Sequence, residues 1–445
     1  MTIAEAGAAL RTRKISCVEL VQQSLDTIDR LNPKLNAFIT VTGTQAIERA
    51  RALDGDLAAG RDRGPLHGIP IAHKDLIFTK GVRTTSGSKL FANEVPDHDA
   101  VVVEKLDAAG AILVGKAGLH ELAYGVTSDN AHFGSIRNPW DPERIPGGSS
   151  GGSGVAVATG MVFMATGTDT GGSIRIPASF CGVFGLKPTY GRVSRFGVRP
   201  LGLTLDHVGP LTATARDAEV AFAAMANNPG LPARTGQPVR IGLPENFYFE
   251  KVDLEIAASV HAAAKQSEAL GARVTPVRVP DIHALNLASF VILLSEAAAV
   301  HAPYVGRRDQ FSPEAMALLD QGSLIPATSY VNAQRVRKML VDDFHALFKD
   351  IDVLYTPTIP VPPARIGEME IEVAGEKQNV RMASTRFVRG INLLGYPAVS
   401  MPCGFTTTLL PIGLQLIGRP FEDEILLSWC ARLEEALPHS PFQVL

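Results

Sequence analysis

Apolar positions recur along this chain with two periods, and the switches between them lay out its elements. Over residues 3–31 the period is helical, with Leu20, Val21, Leu25 and Ile28 near one face and Ser16 and Glu19 set as a capping box. The spacing predicts a helix there and a second amphipathic helix over 46–60. PLHGIPIAHKDLI, at 65–77, reads as a short buried strand carrying Lys74. Residues 99–110 suit a helix and AILVGK, at 111–116, a buried strand. This alternation predicts an α/β protein whose helices cover a largely buried sheet.

Residues 130–148 break the pattern with Pro139, Pro142 and Pro146, and read as a loop. A helix over 152–160, a strand in VFMATGTD and a further apolar piece, PASFCGVFGL, follow. The Asn/Pro/Gly-rich stretch 224–238 is a linker or a long surface connection. Helical patterns return at 253–270 and 326–349, and late buried strands are expected at 352–362 and 397–403. No internal repeat interrupts this order.

Composition narrows the function classes. The chain has 445 residues, 46% hydrophobic and 20% charged, enough for a large core and one to three domains. A net charge of −3, without long runs of one sign, gives no basic field for nucleic acid. Cys17, Cys181, Cys403 and Cys430 form no CxxC pair and are expected to be reduced, buried thiols. The first residues, MTIAEAGAALRTRK, lack the basic-then-apolar order of a signal peptide. Apolar runs such as 289–294 fall far short of the roughly 20 residues of a membrane span. The expectation is a soluble, cytoplasmic protein, away from nucleic acid and membrane.

Several motifs mislead. Residues 110–117, GAILVGKA, nearly match a phosphate-binding loop, but the final hydroxyl is replaced by Ala117 and the interior reads as a strand. GGSSG at 147–151 fits the G-x-S-x-G pattern of a nucleophile elbow. The preceding DPERIPGG cannot be the core strand such an elbow requires, although Asp206 and His207 lie downstream. The 11 histidines show no HExxH or similar spacing, so neither metal nor cofactor is expected. A flexible linker does not fit GGSSGGSG either, because RNPW before it and VAVATG after it are not solvated spacer.

What remains is chemistry. GGSSGGSG at 147–154 and GTDTGGSIR at 167–175 place two serine clusters in glycine-rich backbone, with Lys74 upstream. A serine hydroxyl is a weak nucleophile that needs an adjacent base, and a lysine serves in Ser-Lys variants of the triad. That lysine must be neutral, and a free lysine with a pKa of about 10.4 is charged at neutral pH. Burial in IPIAHKDLI supplies the required depression. Asp75 should point to the opposite face of the strand.

Lys74 in GIPIAHKD, GGSSGGS at 147–153 and DTGGSIRIPASFCGVFGLKPT at 169–189 together resemble the amidase signature family. RNPWD, GRVSRFG and PIGLQLIGRPF extend the likeness over nearly the full chain. The resemblance implies one amidase domain over 1–445, with a catalytic core at about 65–215 and a pocket-shaping helical region at about 285–350. Its fold would be a central mixed β-sheet covered by helices on both faces. The resemblance makes Ser173 the nucleophile, Ser149 the proton shuttle after a cis peptide, and Lys74 the final base. The backbone of Thr170, Gly171, Gly172 and Ser173 would form the oxyanion hole, because glycines let consecutive N–H groups converge on one oxygen. Asp169 and Arg175 would brace that loop. Gly125, Val126, Thr127 and Ser128 would line the acyl pocket, and Ser150 either hydrogen-bonds near the nucleophile or is structural.

The implied activity is hydrolysis of a small-molecule amide, with esters and carbamates as further candidates, by a monomer or homodimer. The alternative is the glutaminase A subunit of glutamyl-tRNA(Gln) amidotransferase. FSPEAMALLDQG, RMASTRFVRG and VTSDN depart from the pattern of that rival, and GVRPLGLTLDHVGPLT looks like stand-alone amidases. These segments favour a stand-alone hydrolase.

Overall fold

The computed structural model describes residues 1–227 and 238–438. Its strands are, in chain order, β1 (Phe38–Val41), β2 (Pro70–Lys74), β3 (Ile112–Ala117), β4 (Met164–Asp169), β5 (Phe184–Lys187), β6 (His207–Thr212), β7 (Arg240–Pro244), β8 (Arg273–Val277), β9 (Val353–Pro357), β10 (Glu370–Val373), β11 (Glu376–Asn379), β12 (Ala398–Phe405) and β13 (Pro411–Gly418). All but β10 and β11 join one sheet in the order β1-β3-β2-β4-β6-β5-β12-β13-β9-β7-β8. β2 runs parallel to β3 and β4, and β7 runs parallel to β8 and β9. The other pairings are antiparallel, so the sheet is mixed. Helices flank it, and β2, β4, β5, β6, β9 and β13 are buried along their whole length. Strands closed off on both faces read as continuous apolar runs.

The expected helix over 3–31 is two helices, Ile3–Arg11 and Cys17–Leu35. Each has its own capping box, Thr2 with Glu5 and Ser16 with Glu19, and Arg13 between them takes a left-handed φ of 56°. PASFCGVFGL also divides, into the helix Arg175–Cys181 and β5. Gly182, at φ 69°, makes the turn between them, a conformation that costs glycine nothing. β10 and β11 form a separate hairpin, turned by Ala374 and Gly375 at φ 50° and 81°, which suits the right-handed twist of the strands.

The helices expected at 46–60, 99–110, 152–160, 253–270 and 326–349 are Gly43–Ala58, Val101–Ala108, Gly151–Ala158, Leu254–Ala269 and Ala327–Leu347. The stretch 224–238 falls mostly outside the described residues. The apolar run 289–294 belongs to a longer helix, Ile282–His301, whose length and composition would suffice to cross a membrane. Here it is a core helix, with Leu285, Ile292 and Ala297 buried. All four cysteines are free and buried.

Candidate active site

Three segments converge at the carboxyl end of β2. Lys74 is the last residue of that strand, and the register with β4 sets His73 opposite Thr166. Residues two apart on a strand share a face, so Thr166 and Thr168 project from the same side of β4. Thr166 Oγ1 accepts the Lys74 backbone N–H at 3.3 Å. The Lys74 ammonium, fully buried, donates to Ser149 Oγ at 2.7 Å, Ser150 Oγ at 2.8 Å and Thr168 Oγ1 at 2.8 Å. Burial lowers this amine to about 7, with Asp169 and Asp206 holding it up in part. Asp75 turns away: its carboxylate accepts the Thr85 N–H at 3.0 Å and the Thr85 hydroxyl at 2.5 Å.

Ser149 enters from the proline-rich loop through a cis Gly148–Ser149 peptide. No strand precedes it, in keeping with the rejection of a nucleophile elbow. Ser128 holds the turn from behind: its hydroxyl donates to Gly147 O at 2.8 Å and accepts from Gly151 N–H at 3.2 Å. A Cβ on Gly148 would come within 2.9 Å of the Val126 carbonyl carbon, so the close approach requires glycine.

The second serine follows β4 in a loop organised by Asp169. This buried carboxylate accepts the N–H groups of Gly172 at 2.7 Å and Ile174 at 3.2 Å, and pairs with Arg175 through Nε and Nη2, both at 3.0 Å. Burial would raise the Asp169 carboxyl, but Arg175 holds it well below the usual carboxylate range. Asn392 Nδ2 donates to Asp169 Oδ1 at 2.8 Å, and Arg175 donates to Gln415 Oε1 and Asn392 Oδ1, each at 2.7 Å. Thr170 Oγ1 donates to Asp206 at 2.6 Å, fixing the other end. Ser150 N–H donates to Ser173 O at 3.2 Å and ties the two serine loops together.

Ser173 is 6% exposed and faces a narrow cavity of about 30 Å³, shared with Tyr124, Gly125, Val126, Arg381 and Arg389. That volume is about one water molecule. A larger cavity of about 600 Å³ also touches Ala123, Thr170 and Leu201, but Ser173 does not line it.

The structure thus brings Lys74, Ser149, Ser150, Ser173, Asp169, Arg175 and the 170–172 loop to one place. Two expectations change. Gly172 N–H is committed to Asp169, so it is not an oxyanion donor. The N–H groups of Thr170, Gly171 and Ser173 have no protein partner among the described residues. Of the four residues expected in the acyl pocket, only Gly125 and Val126 line the cavity at Ser173. Thr127 Oγ1 instead shares a hydrogen bond with His120 Nδ1 at 3.2 Å and borders another cavity, while Ser128 is fully buried behind the turn.

Sequence reasoning missed Thr168, Asp206, Arg381, Arg389, Asn392 and Gln415. Thr168 was within reach, since period-two spacing puts it beside Thr166 on a strand already recognised. The late residues had no local signal. Among the described residues no group of three or more His, Cys, Asp or Glu is arranged to hold a metal.

The site thus joins a buried lysine bonded to a serine hydroxyl with a second serine in a glycine-rich turn. The chain belongs to the amidase signature family: the Amidase family model matches residues 19–427. It is 38% identical over 474 residues to the A subunit of glutamyl-tRNA(Gln) amidotransferase from Coxiella burnetii, covering 98% of this chain and 97% of that one. A solved crystal structure of an amidase shares 34% identity and a TM-score of 0.93, covering 98% of this chain and 100% of the other. Another, a vestigial protein complex bearing on the origins of an s-triazine catabolic enzyme, gives 35% and 0.92, covering 99% and 100%. The protein is therefore an amidase-family enzyme acting on carbon–nitrogen bonds.

Proposed function

We propose that the chain cleaves a carboxylic amide through an acyl-enzyme formed on Ser173. Neutral Lys74 takes the Ser149 proton while Ser149 takes the Ser173 proton, and Ser173 Oγ bonds to the substrate carbonyl carbon. The oxygen gains negative charge against the N–H groups of Thr170, Gly171 and Ser173, which Asp169 holds in place before substrate arrives. As the carbon–nitrogen bond breaks, the proton returns through Ser149 to the leaving nitrogen. Water then repeats the sequence on the ester and releases the acid.

The observation that carries this reading is the 2.7 Å bond from buried Lys74 Nζ to Ser149 Oγ. The nearby histidine is no rival base: His207 lies against the Leu205 carbonyl at 2.6 Å and burial lowers it well below its usual range. Covalent labelling by a fluorophosphonate tests the assignment. Label is expected on Ser173 and absent from Ser173→Ala, and label on Ser149 would reverse the two serines.

A second reading concerns which amide. The curated relative from Coxiella burnetii is an amidotransferase A subunit matched over nearly its full length, which weighs against the stand-alone hydrolase preferred from FSPEAMALLDQG and RMASTRFVRG. In this reading glutamine supplies the amide nitrogen, ammonia leaves, and a partner protein receives it. Turnover of glutamine that depends on a co-purified partner supports the amidotransferase reading. Brisk cleavage of a simple aryl amide by the chain alone supports the stand-alone enzyme.

A further inference from the structure

Two carboxylates flank the loop 170–173, and only one of them is neutralised. Asp169 pairs with Arg175. Asp206, on the other side, is 9% exposed and has no ion-pair partner among the described residues. It accepts the Thr170 hydroxyl at 2.6 Å and the N–H groups of Leu201 at 2.9 Å and Gly202 at 3.0 Å. The sheet explains this placement. β4 and β6 pair antiparallel with Thr168 opposite Val208 and Asp169 opposite His207, so continuing the ladder sets Thr170 against Asp206. A buried charge is ordinarily paired, and an unpaired one beside a reaction centre points to a role there.

The charges around Asp206 leave it largely uncompensated. Arg195, from the loop after β5, offsets it in part, but the guanidinium is turned to the Leu203 carbonyl at 2.6 Å and the Tyr190 hydroxyl at 2.7 Å. His207 is next in sequence, and burial keeps it neutral. Glu296, from the helix Ile282–His301, reaches the same loop by accepting the Thr204 N–H at 2.9 Å. Toward the reaction centre stand Lys74 and the Asp169–Arg175 pair, with Lys187 behind that pair. Thr168, whose hydroxyl accepts from Lys74 Nζ at 2.8 Å, lines the same cavity as Thr170 and Asp206. Asp206 therefore lies on the Lys74 side of the loop, and its charge helps to hold that amine up.

We infer that Asp206 is a positioning residue for both ends of the relay: through the Thr170 hydroxyl it fixes the Thr170 N–H for the oxyanion, and its charge stabilises the ammonium that Lys74 becomes on taking the proton. The inference rests on the proposed Ser173–Ser149–Lys74 chemistry. Moving the proton to Lys74 creates a positive charge in a buried site, where an opposite charge is screened little. Arg175 offsets the field of Asp169, which leaves Asp206 as the uncompensated negative group.

The test follows the rate at which a fluorophosphonate labels Ser173 in the full chain across pH, with kinact separated from KI. Asp206→Asn removes the charge, so the midpoint of the rise with pH should move down by roughly half to one pH unit, with kinact about tenfold lower on the plateau. Thr170→Val keeps the charge and cuts the tie. Its kinact should fall by about tenfold, with KI near the wild-type value and the midpoint in place. Arg195→Gln removes the charge that offsets Asp206, so its midpoint should move the other way, to higher pH; it carries the test where Asp206→Asn does not fold. An aspartate that merely held the loop would slow labelling at every pH alike. An unmoved midpoint in Asp206→Asn, or in Arg195→Gln where that variant carries the test, overturns the inference. So does an undiminished kinact in Thr170→Val, or a midpoint there that moves as far as in Asp206→Asn. Wild-type Ser173 that takes no label would sink the nucleophile assignment itself, whereas label with unmoved midpoints sinks only this inference.

Discussion

Lys74 and Lys116 sit on neighbouring parallel strands, both fully buried, with His73 in register with Lys116. Burial depresses both amines, Lys74 to about 7 and Lys116 to about 8. Their partners differ in kind. Lys116 donates to the Ile77 carbonyl and to two threonine hydroxyls. A carbonyl can only accept, so one N–H of the amine is committed to it in either protonation state. Lys74 meets three hydroxyls, from Ser149, Ser150 and Thr168. Each can turn and donate, so the site stays satisfied when the amine becomes neutral. A depressed pKa is common to both lysines; what sets Lys74 apart is that it meets the two serine hydroxyls of the glycine-rich turn.

The sharpest division between the two lysines is expected in turnover. Lys74→Ala should lower kcat by several orders of magnitude, and adding Ser149→Ala should cost little more, because members of one proton relay are strongly non-additive. Losses that multiply in full would show two independent groups. Lys116→Met should leave turnover per folded molecule nearly intact and instead lower stability by about 1–3 kcal/mol, the cost of losing its buried hydrogen bonds to the Ile77 carbonyl and the Thr79 and Thr84 hydroxyls. Urea unfolding reads the second, and single-turnover kinetics the first.

The pH profile tests the same contrast more gently. In the proposed mechanism the neutral amine is the active form, so the rate should rise through the Lys74 value of about 7 and level off above it. Stability carries the same sign. Above that value the folded chain has released a proton which the unfolded chain, with lysine at about 10.4, still binds, so stability rises with pH between the two. Lys74→Met should lose that component of the rise. A rate that falls over this window would mean the charged lysine is the working form.

The smallest effect expected is that of Thr168→Val. It removes one hydroxyl from the ammonium, so the midpoint of the rate profile should move to lower pH, with turnover changed by about tenfold or less. An unmoved midpoint would leave Thr168 with a packing role alone.

Much of the site was legible because its chemistry is crowded into contiguous residues. Ser149, Ser150, Asp169, Ser173 and Arg175 lie within two glycine-rich runs, and Lys74 stands out as a charge among apolar neighbours. Helices and strands with a clear period were legible for the same reason. What escaped is set by pairing between distant parts. Asn392 and Gln415 reach Asp169 and Arg175 only because β12 and β13 lie beside β5, a neighbourhood no local pattern encodes. Arg389 lies in RMASTRFVRG, and no local pattern in that run marks it as buried. The division of 3–31 was within reach, because the Ser16/Glu19 capping box inside a periodic segment is a start signal, and a start implies an end just before it.

The position of β12 and β13 also bears on how the molecule is made. Every strand up to β6 emerges early in synthesis, yet β5 has its second neighbour only in β12, near the far end of the chain. Until then Phe184–Lys187 presents an apolar open edge to whatever strand passes, the situation that favours mispairing between chains. The same late segment supplies Asn392 and Gln415 to the nucleophile loop. The turn that carries Ser173 is therefore braced by the same late segment that closes this edge.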